Sequence, residues 1–170
     1  FYEDLTIDSL NFNTLAGGIQ DGFAQQEQET NAIAVFGSID YELTDRLSMR
    51  AGLRVSNDDK DFKAQRTLSP FGAPPTPVLR ASPDDTEYSW DLSLTYAATE
   101  DVNVYTRLAR GFRAPSVQGR LLFGDEISVA DTETLFSAEA GFKSMLFDER
   151  LRANASVYAY KIDDQQLTAV

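Results

Sequence analysis

Apolar and polar side chains take turns along residues 31–43. Ile33, Val35, Gly37, Ile39, Tyr41 and Leu43 share one parity, while Ala32, Ala34, Phe36, Ser38, Asp40 and Glu42 share the other. A period of two places each set on its own face of a β-strand. The alternation returns in five more segments. Leu47, Met49, Ala51, Leu53 and Val55 form the apolar parity of the second, and Tyr88, Trp90, Leu92, Leu94 and Tyr96 that of the third. Val102, Val104, Thr106 and Leu108 follow, then Ala138, Ala140, Phe142, Ser144 and Leu146, then Leu151, Ala153, Ala155, Val157 and Ala159.

One segment offers a competing period. Arg46, Arg50 and Arg54 are four apart, a spacing that would line a helix face. The apolar residues between them are two apart, however, and on a helix they would scatter around the axis and leave no stripe. A spacing of four is even, so it also fits the polar face of a strand.

The predicted strands segregate charge completely. None of their apolar-parity positions is charged, whereas the opposite parity carries Asp40, Glu42, Arg46, Arg50, Arg54, Glu87, Asp91, Arg107, Glu139, Lys143 and Arg152. Connections alternate in length. Residues 44–46, 99–101 and 147–150 read as tight turns, and 5–30, 57–86 and 113–134 as long loops, expected to be extracellular. Short turns on one side and long loops on the other, with one apolar and one charged face per strand, predict an all-β, antiparallel up-and-down transmembrane β-barrel. Tyr41 and Tyr96 near the short turns, and Tyr88 and Trp90 near the long loops, fit two aromatic girdles. With a possible strand end at Phe1-Tyr2-Glu3, six to seven strands fall short of the roughly eight of the smallest barrels. This predicts a partial barrel, residues 1–170 being a fragment of the barrel domain of a longer protein.

Composition narrows the chemistry. The chain has 170 residues, no cysteine and no histidine, which removes disulfides, thiolate metal sites and the commonest catalytic base. Its net charge of −12 argues against nucleic acid as a partner. A mean hydropathy of −0.31 would suit a soluble protein, but a barrel conceals its lipid face by alternation. No nucleophile–base or phosphate-loop constellation is present, so no catalytic residue, metal site or cofactor is assigned.

Arg110-Gly-Phe-Arg-Ala-Pro-Ser116, preceded by Val104-Tyr105, resembles the hallmark strand end of TonB-dependent outer-membrane receptors. Residues 34–62, 133–160 and 163–170 resemble the same family's barrel. The resemblance implies a barrel of about 22 strands plugged by a globular domain, located in the outer membrane of a Gram-negative bacterium. It further implies import of a scarce solute such as a ferric siderophore, driven by the TonB complex acting through the plug. Partners would be that complex, the plug, outer-membrane lipid and lipopolysaccharide, and a ferric chelate. After Ser116 the chain reads Val-Gln-Gly-Arg, which departs from many relatives and leaves the ligand class open. Plug, TonB box and closing aromatic strand are absent from the sequence.

On this reading Asp40, Arg50, Arg54, Asp91, Arg107, Glu139 and Lys143 face the lumen or the plug. If Leu43 opposes Leu47, Asp40 faces Arg50 and Phe36 faces Arg54, and Arg54 reaches for the plug or water. Arg113, Arg120 and Phe123 are candidates to hold an anionic chelate by charge and stacking. Asn57, Asp59 and Asp61 have calcium-loop spacing without the glycine and distal glutamate of an EF-hand, so a solvated loop is the better reading. The acids of residues 1–30 read as a plain acidic loop, and the sequon Asn154-Ala-Ser156 as chance within a strand. The alternatives are a passive porin, which needs no plug, and a soluble all-β binding module, whose interior would be apolar.

Overall fold

The computed structural model describes residues 1–13, 17–148 and 150–167. Residues 14–16 of the first long connection, Glu149 of the last turn and 168–170 of the family-like stretch at 163–170 therefore lie outside the described residues. Ten strands are described: β1 Tyr2–Asn13, β2 Ile19–Thr44, β3 Leu47–Leu68, β4 Leu79–Ala81, β5 Asp84–Ala97, β6 Val102–Arg113, β7 Ser116–Gln118, β8 Ser128–Ala130, β9 Glu133–Leu146 and β10 Leu151–Asp163. One sheet runs in the order β1-β2-β3-β5-β6-β9-β10, with β4 also paired to β3, and β7 pairs β8 separately. The main sheet thus follows chain order, the up-and-down arrangement that short turns between alternating strands predict. The chain divides into two units, residues 1–33, 57–86 and 114–132 in one and 34–56, 87–113 and 133–170 in the other.

In the second unit the register sorts the faces. Directly opposed residues of antiparallel strands share a face. Leu94 opposes Thr106, Thr106 opposes Ala140 and Ala140 opposes Val157. One residue along, Ser93 opposes Arg107, Arg107 opposes Glu139 and Glu139 opposes Tyr158. The apolar and charged parities therefore stay on separate faces across β5, β6, β9 and β10. Tight turns close the hairpins. At the first, the Thr44 hydroxyl accepts from the backbone N–H of Arg46 and Leu47, at 3.3 and 3.0 Å, holding the chain reversal with a side chain. At the last, Phe147 and Asp148 take φ of 57° and 54°, the left-handed pair that a tight hairpin needs but that a phenylalanine adopts only under strain.

In the first unit the expected long loops are largely strand. Residues 2–13 pair with 19–31 as a hairpin, β3 continues to Leu68, and β5 starts at Asp84. The connection 113–134 likewise contains β7 and β8. The sequence conceals these strands because neither face is consistently apolar. Leu5 and Ile7 have one parity and Leu10 and Phe12 the other, and all four are 42–54% exposed. Backbone ladders hold such a hairpin, helped by polar side-chain bonds such as Asn11 Nδ2 to Asp21 Oδ1 at 2.7 Å and Gln25 Nε2 to Asp8 Oδ1 at 3.2 Å. Pro83, lacking an N–H, separates β4 from β5, though its carbonyl still accepts from the Lys60 N–H at 3.1 Å.

The first unit also has a small core. Ala24, Phe62, Ala64 and Leu121 are buried, with Leu79, Val117, Leu122 and Ile127 packed against them. Phe62, Ala64 and Arg66 project from one face of β3, and the segment 114–132 folds onto that face. Gly119 permits the approach: a Cβ there would stand 2.7 Å from the Phe62 ring.

Candidate functional site

The charged face of the second unit gathers most of the residues expected to face a lumen. Arg50 Nε donates to Asp40 Oδ1 at 2.6 Å, the ion pair expected from the hairpin register. Both side chains are well exposed, so the pair sets register more than it stabilises the fold. Arg54 lies 5.9 Å from the Phe36 ring centroid, again as expected. Its Nε does not reach outward, however, but donates to Ser56 Oγ two residues along its own strand, at 2.9 Å. A neighbour on the same face is already in reach, so the side chain lies down along β3.

Across β6, β9 and β10 the face is built around a glycine. Tyr105 opposes Gly141, and a Cβ at Gly141 would meet Tyr105 Cε1 at 2.9 Å, Ser156 Cβ at 2.9 Å and the Ala155 carbonyl oxygen at 2.5 Å. The ring lies in the space the glycine leaves, an aromatic cover of a strand glycine. Its hydroxyl donates to Glu139 Oε1 at 2.5 Å, and Lys143 Nζ stands 5.4 Å from its ring centroid. Arg107 directly opposes Glu139, yet Glu139 is engaged by Tyr105. Among the described residues neither Arg107 nor Lys143 forms an ion pair. On β5, Asp91 leans over Gly52, where a Cβ would come 2.7 Å from its Oδ1. Arg50, Asp91, Arg107 and Lys143, with Ser93, Thr95, Asn103 and Tyr105, line one open concavity. It presents three cations and one acid to whatever faces the sheet.

The hallmark segment divides between the units. Arg110 sits 2.8 Å from Glu87 Oε2 with both side chains about one-fifth exposed, donates to the Tyr88 carbonyl, and lies 4.1 Å from the Tyr88 ring centroid. It stands on the apolar parity, opposed to Trp90 on one side and Phe136 on the other. The Trp90 and Phe136 rings are 6.1 Å apart. Arg113 ends β6 opposite Glu133 and is exposed.

Arg120 and Phe123 belong to the loop between β7 and β8 in the first unit. Arg120 is exposed and Phe123 is 69% exposed. What holds that loop is Arg66, which the sequence reading did not single out. Arg66 is 2% exposed. Its Nη1 donates to the carbonyls of Leu121 and Gly124 at 2.9 and 2.8 Å, and its Nη2 to the Pro74 carbonyl at 2.9 Å and Asp125 Oδ1 at 2.5 Å. Such charge-assisted bonds are worth about 1.5–3 kcal/mol each. Lys60, on the same parity of β3, donates from Nζ to the Pro115 carbonyl at 2.5 Å. The signal was that parity itself: it continues from Arg50 and Arg54 through Lys60 to Arg66, beyond the point where the apolar alternation stops.

The segment with calcium-loop spacing is strand. Asn57 Nδ2 donates to Thr86 Oγ1 at 3.0 Å, and Asp61 accepts from Ser82 Oγ at 2.7 Å. A straight ladder cannot wrap these groups around an ion, and among the described residues no cluster of three or more acidic side chains is placed to hold a metal. Asn154 lies within β10 opposite Lys143.

Residues 2–170 match the family model described as TonB dependent receptor-like, beta-barrel. The Pesticin receptors of Yersinia enterocolitica and Yersinia pestis are 26% identical to the chain over 135 residues, covering 78% of it and 19% of their own length. The chain thus spans about one-fifth of the curated relatives it matches. Among solved structures, the ferric yersiniabactin uptake receptor FyuA from Yersinia pestis superposes with a TM-score of 0.83 at 20% identity, over 98% of this chain and 25% of that one. The ferric-catecholate import receptor Fiu from E. coli K12 gives 0.61 at 17% identity, over 96% and 26%. These structures share the fold, and the family match extends over nearly the whole chain. The chain belongs to the TonB-dependent receptors, as part of their β-barrel.

Proposed function

We propose that the chain is barrel wall in a longer, plugged outer-membrane receptor that imports a ferric siderophore using energy delivered by TonB. The observation that carries this is the separation of faces. In β10 the apolar parity holds Leu151, Ala153, Ala155, Val157 and Ala159 and meets its first charge at Lys161. At about 3.4 Å per residue and a tilt of about 40°, the chain from Leu151 to Lys161 rises roughly 26 Å, about the height of a lipid-facing band. Lys161, Phe136, Arg110 and Trp90 oppose one another in a row at its end, where aromatic and cationic side chains suit the headgroups. The opposite face, with Asp40, Arg50, Arg54, Asp91, Arg107, Glu139 and Lys143, then faces the lumen. There the cations without acid partners can meet the plug, because unpaired charge is tolerable only where water or polar protein answers it.

Arg120 and Phe123 of the first unit supply a cation and an exposed aromatic suited to an anionic chelate, and Arg113 of the second unit is, by itself, an exposed cation of the same kind. The solved receptors with this fold are named for ferric yersiniabactin and ferric catecholates, and the family consists of receptors and transporters. In cells carrying the complete receptor, uptake of the iron chelate should stop when TonB is deleted or the proton gradient is dissipated. Uptake that continues unchanged would identify a passive porin.

A further inference from the structure

We propose that Arg66 is a positioning residue for ligand capture: it holds the loop 119–127 as a rigid shelf, so that Arg120 and Phe123 are presented already ordered to an anionic, aromatic-bearing iron chelate. The proposal rests on the ligand contacts proposed above and adds the group that fixes them.

If a nine-residue loop orders only when ligand arrives, the entropy of ordering is subtracted from affinity. Here the backbone is already held from beneath. Leu121 is fully buried against Phe62, Ala64 and Ala24. The Arg66 guanidinium takes the carbonyls on either side of Phe123, those of Leu121 and Gly124, and the carboxylate of Asp125. Phe123, between these anchors, and Arg120, one residue before them, are exposed. The fork geometry matters, since only a planar guanidinium serves two carbonyls of this loop, the Pro74 carbonyl and a carboxylate together. Arg66 is too deeply covered to touch a ligand, so its effect must pass through the loop.

The test uses the complete receptor, with iron(III) tris-catecholate as probe. Arg66→Met should speed amide exchange across 119–127 while exchange in β9 and β10 stays unchanged, and should weaken probe binding about tenfold. Arg66→Lys, which keeps the charge but not the fork, should fall between Met and wild type in both readouts. Arg120→Ala should also weaken binding about tenfold, and the double variant should be no more than slightly weaker than either single one. Coupling of that kind is expected when two residues act through one element. An additive loss near a hundredfold, or a loop whose exchange does not change in Arg66→Met, overturns the positioning role. If Arg120→Ala binds as wild type while Arg66→Met still frees the loop, the ligand contact is what fails. Should Arg66→Met not assemble, Asp125→Asn neutralises the one charged acceptor of the four, at an exposed position, and is expected to give the same changes in smaller measure. No change in either readout counts against the proposal.

Discussion

Gly141 shows how one missing side chain organises a whole stretch of the charged face. Its neighbours Tyr105, Ser156 and the Ala155 carbonyl occupy the volume that a Cβ would need, so even alanine must displace all three. The tightest contact is the Ala155 carbonyl, which cannot yield cheaply, so the strand pairing must give as well as the tyrosine ring. Gly141→Ala should therefore destabilise the complete receptor by about 1–3 kcal/mol through overpacking, seen as a lower midpoint of urea unfolding from lipid bilayers. It should also free Glu139 from the Tyr105 hydroxyl and leave it to Arg107 directly opposite. An unchanged midpoint would show that the ring is not held there.

At the scale of elements, the alternation identified six strands and their turns because one face of each meets an apolar medium. Where a strand runs on beyond that medium, neither face need be apolar throughout, and selection for parity lapses. That is why β1, the first half of β2 and the continuation of β3 to Leu68 read as loops. The Asp40–Arg50 pair was legible because a tight turn fixes register, whereas Arg66 was not. Three of its four side-chain acceptors are main-chain carbonyls, those of Pro74, Leu121 and Gly124, and carbonyls carry no residue-type signal. The apolar parity itself is testable at mid-height, where Leu94, Thr106, Ala140 and Val157 oppose one another. Leu94→Arg should cost about 2–4 kcal/mol in folding into liposomes, and Thr95→Arg, on the other face, far less. Equal costs would remove the distinction between the faces.

For the molecule as a whole, the proposed orientation makes the connection between β3 and β4 accessible from outside the cell. Its attachments decide where it tolerates insertion. Pro74 and Thr76 are engaged by Arg66, the latter through its backbone N–H to the Arg66 carbonyl and its hydroxyl to the Arg66 N–H, both at 2.9 Å. Gly72 is exposed with φ of 71° and open space around it. An epitope tag inserted after Gly72 should be detected on intact cells with receptor levels near wild type, while the same tag at Pro75 should reduce them. Detection only after permeabilisation would reverse the orientation.

Among the described residues β10 has β9 as its only neighbour in the sheet order, so the far rim of Leu151–Asp163 carries donors and acceptors with no described strand beside them. In water that rim is merely hydrated; in hydrocarbon each orphaned group costs several kcal/mol. A wall of this kind cannot enter a bilayer strand by strand, since every intermediate would drag an open seam through lipid. Entry is set by completion of the circle. Copies of this chain made alone should zip onto one another along that seam before they dissolve in a membrane.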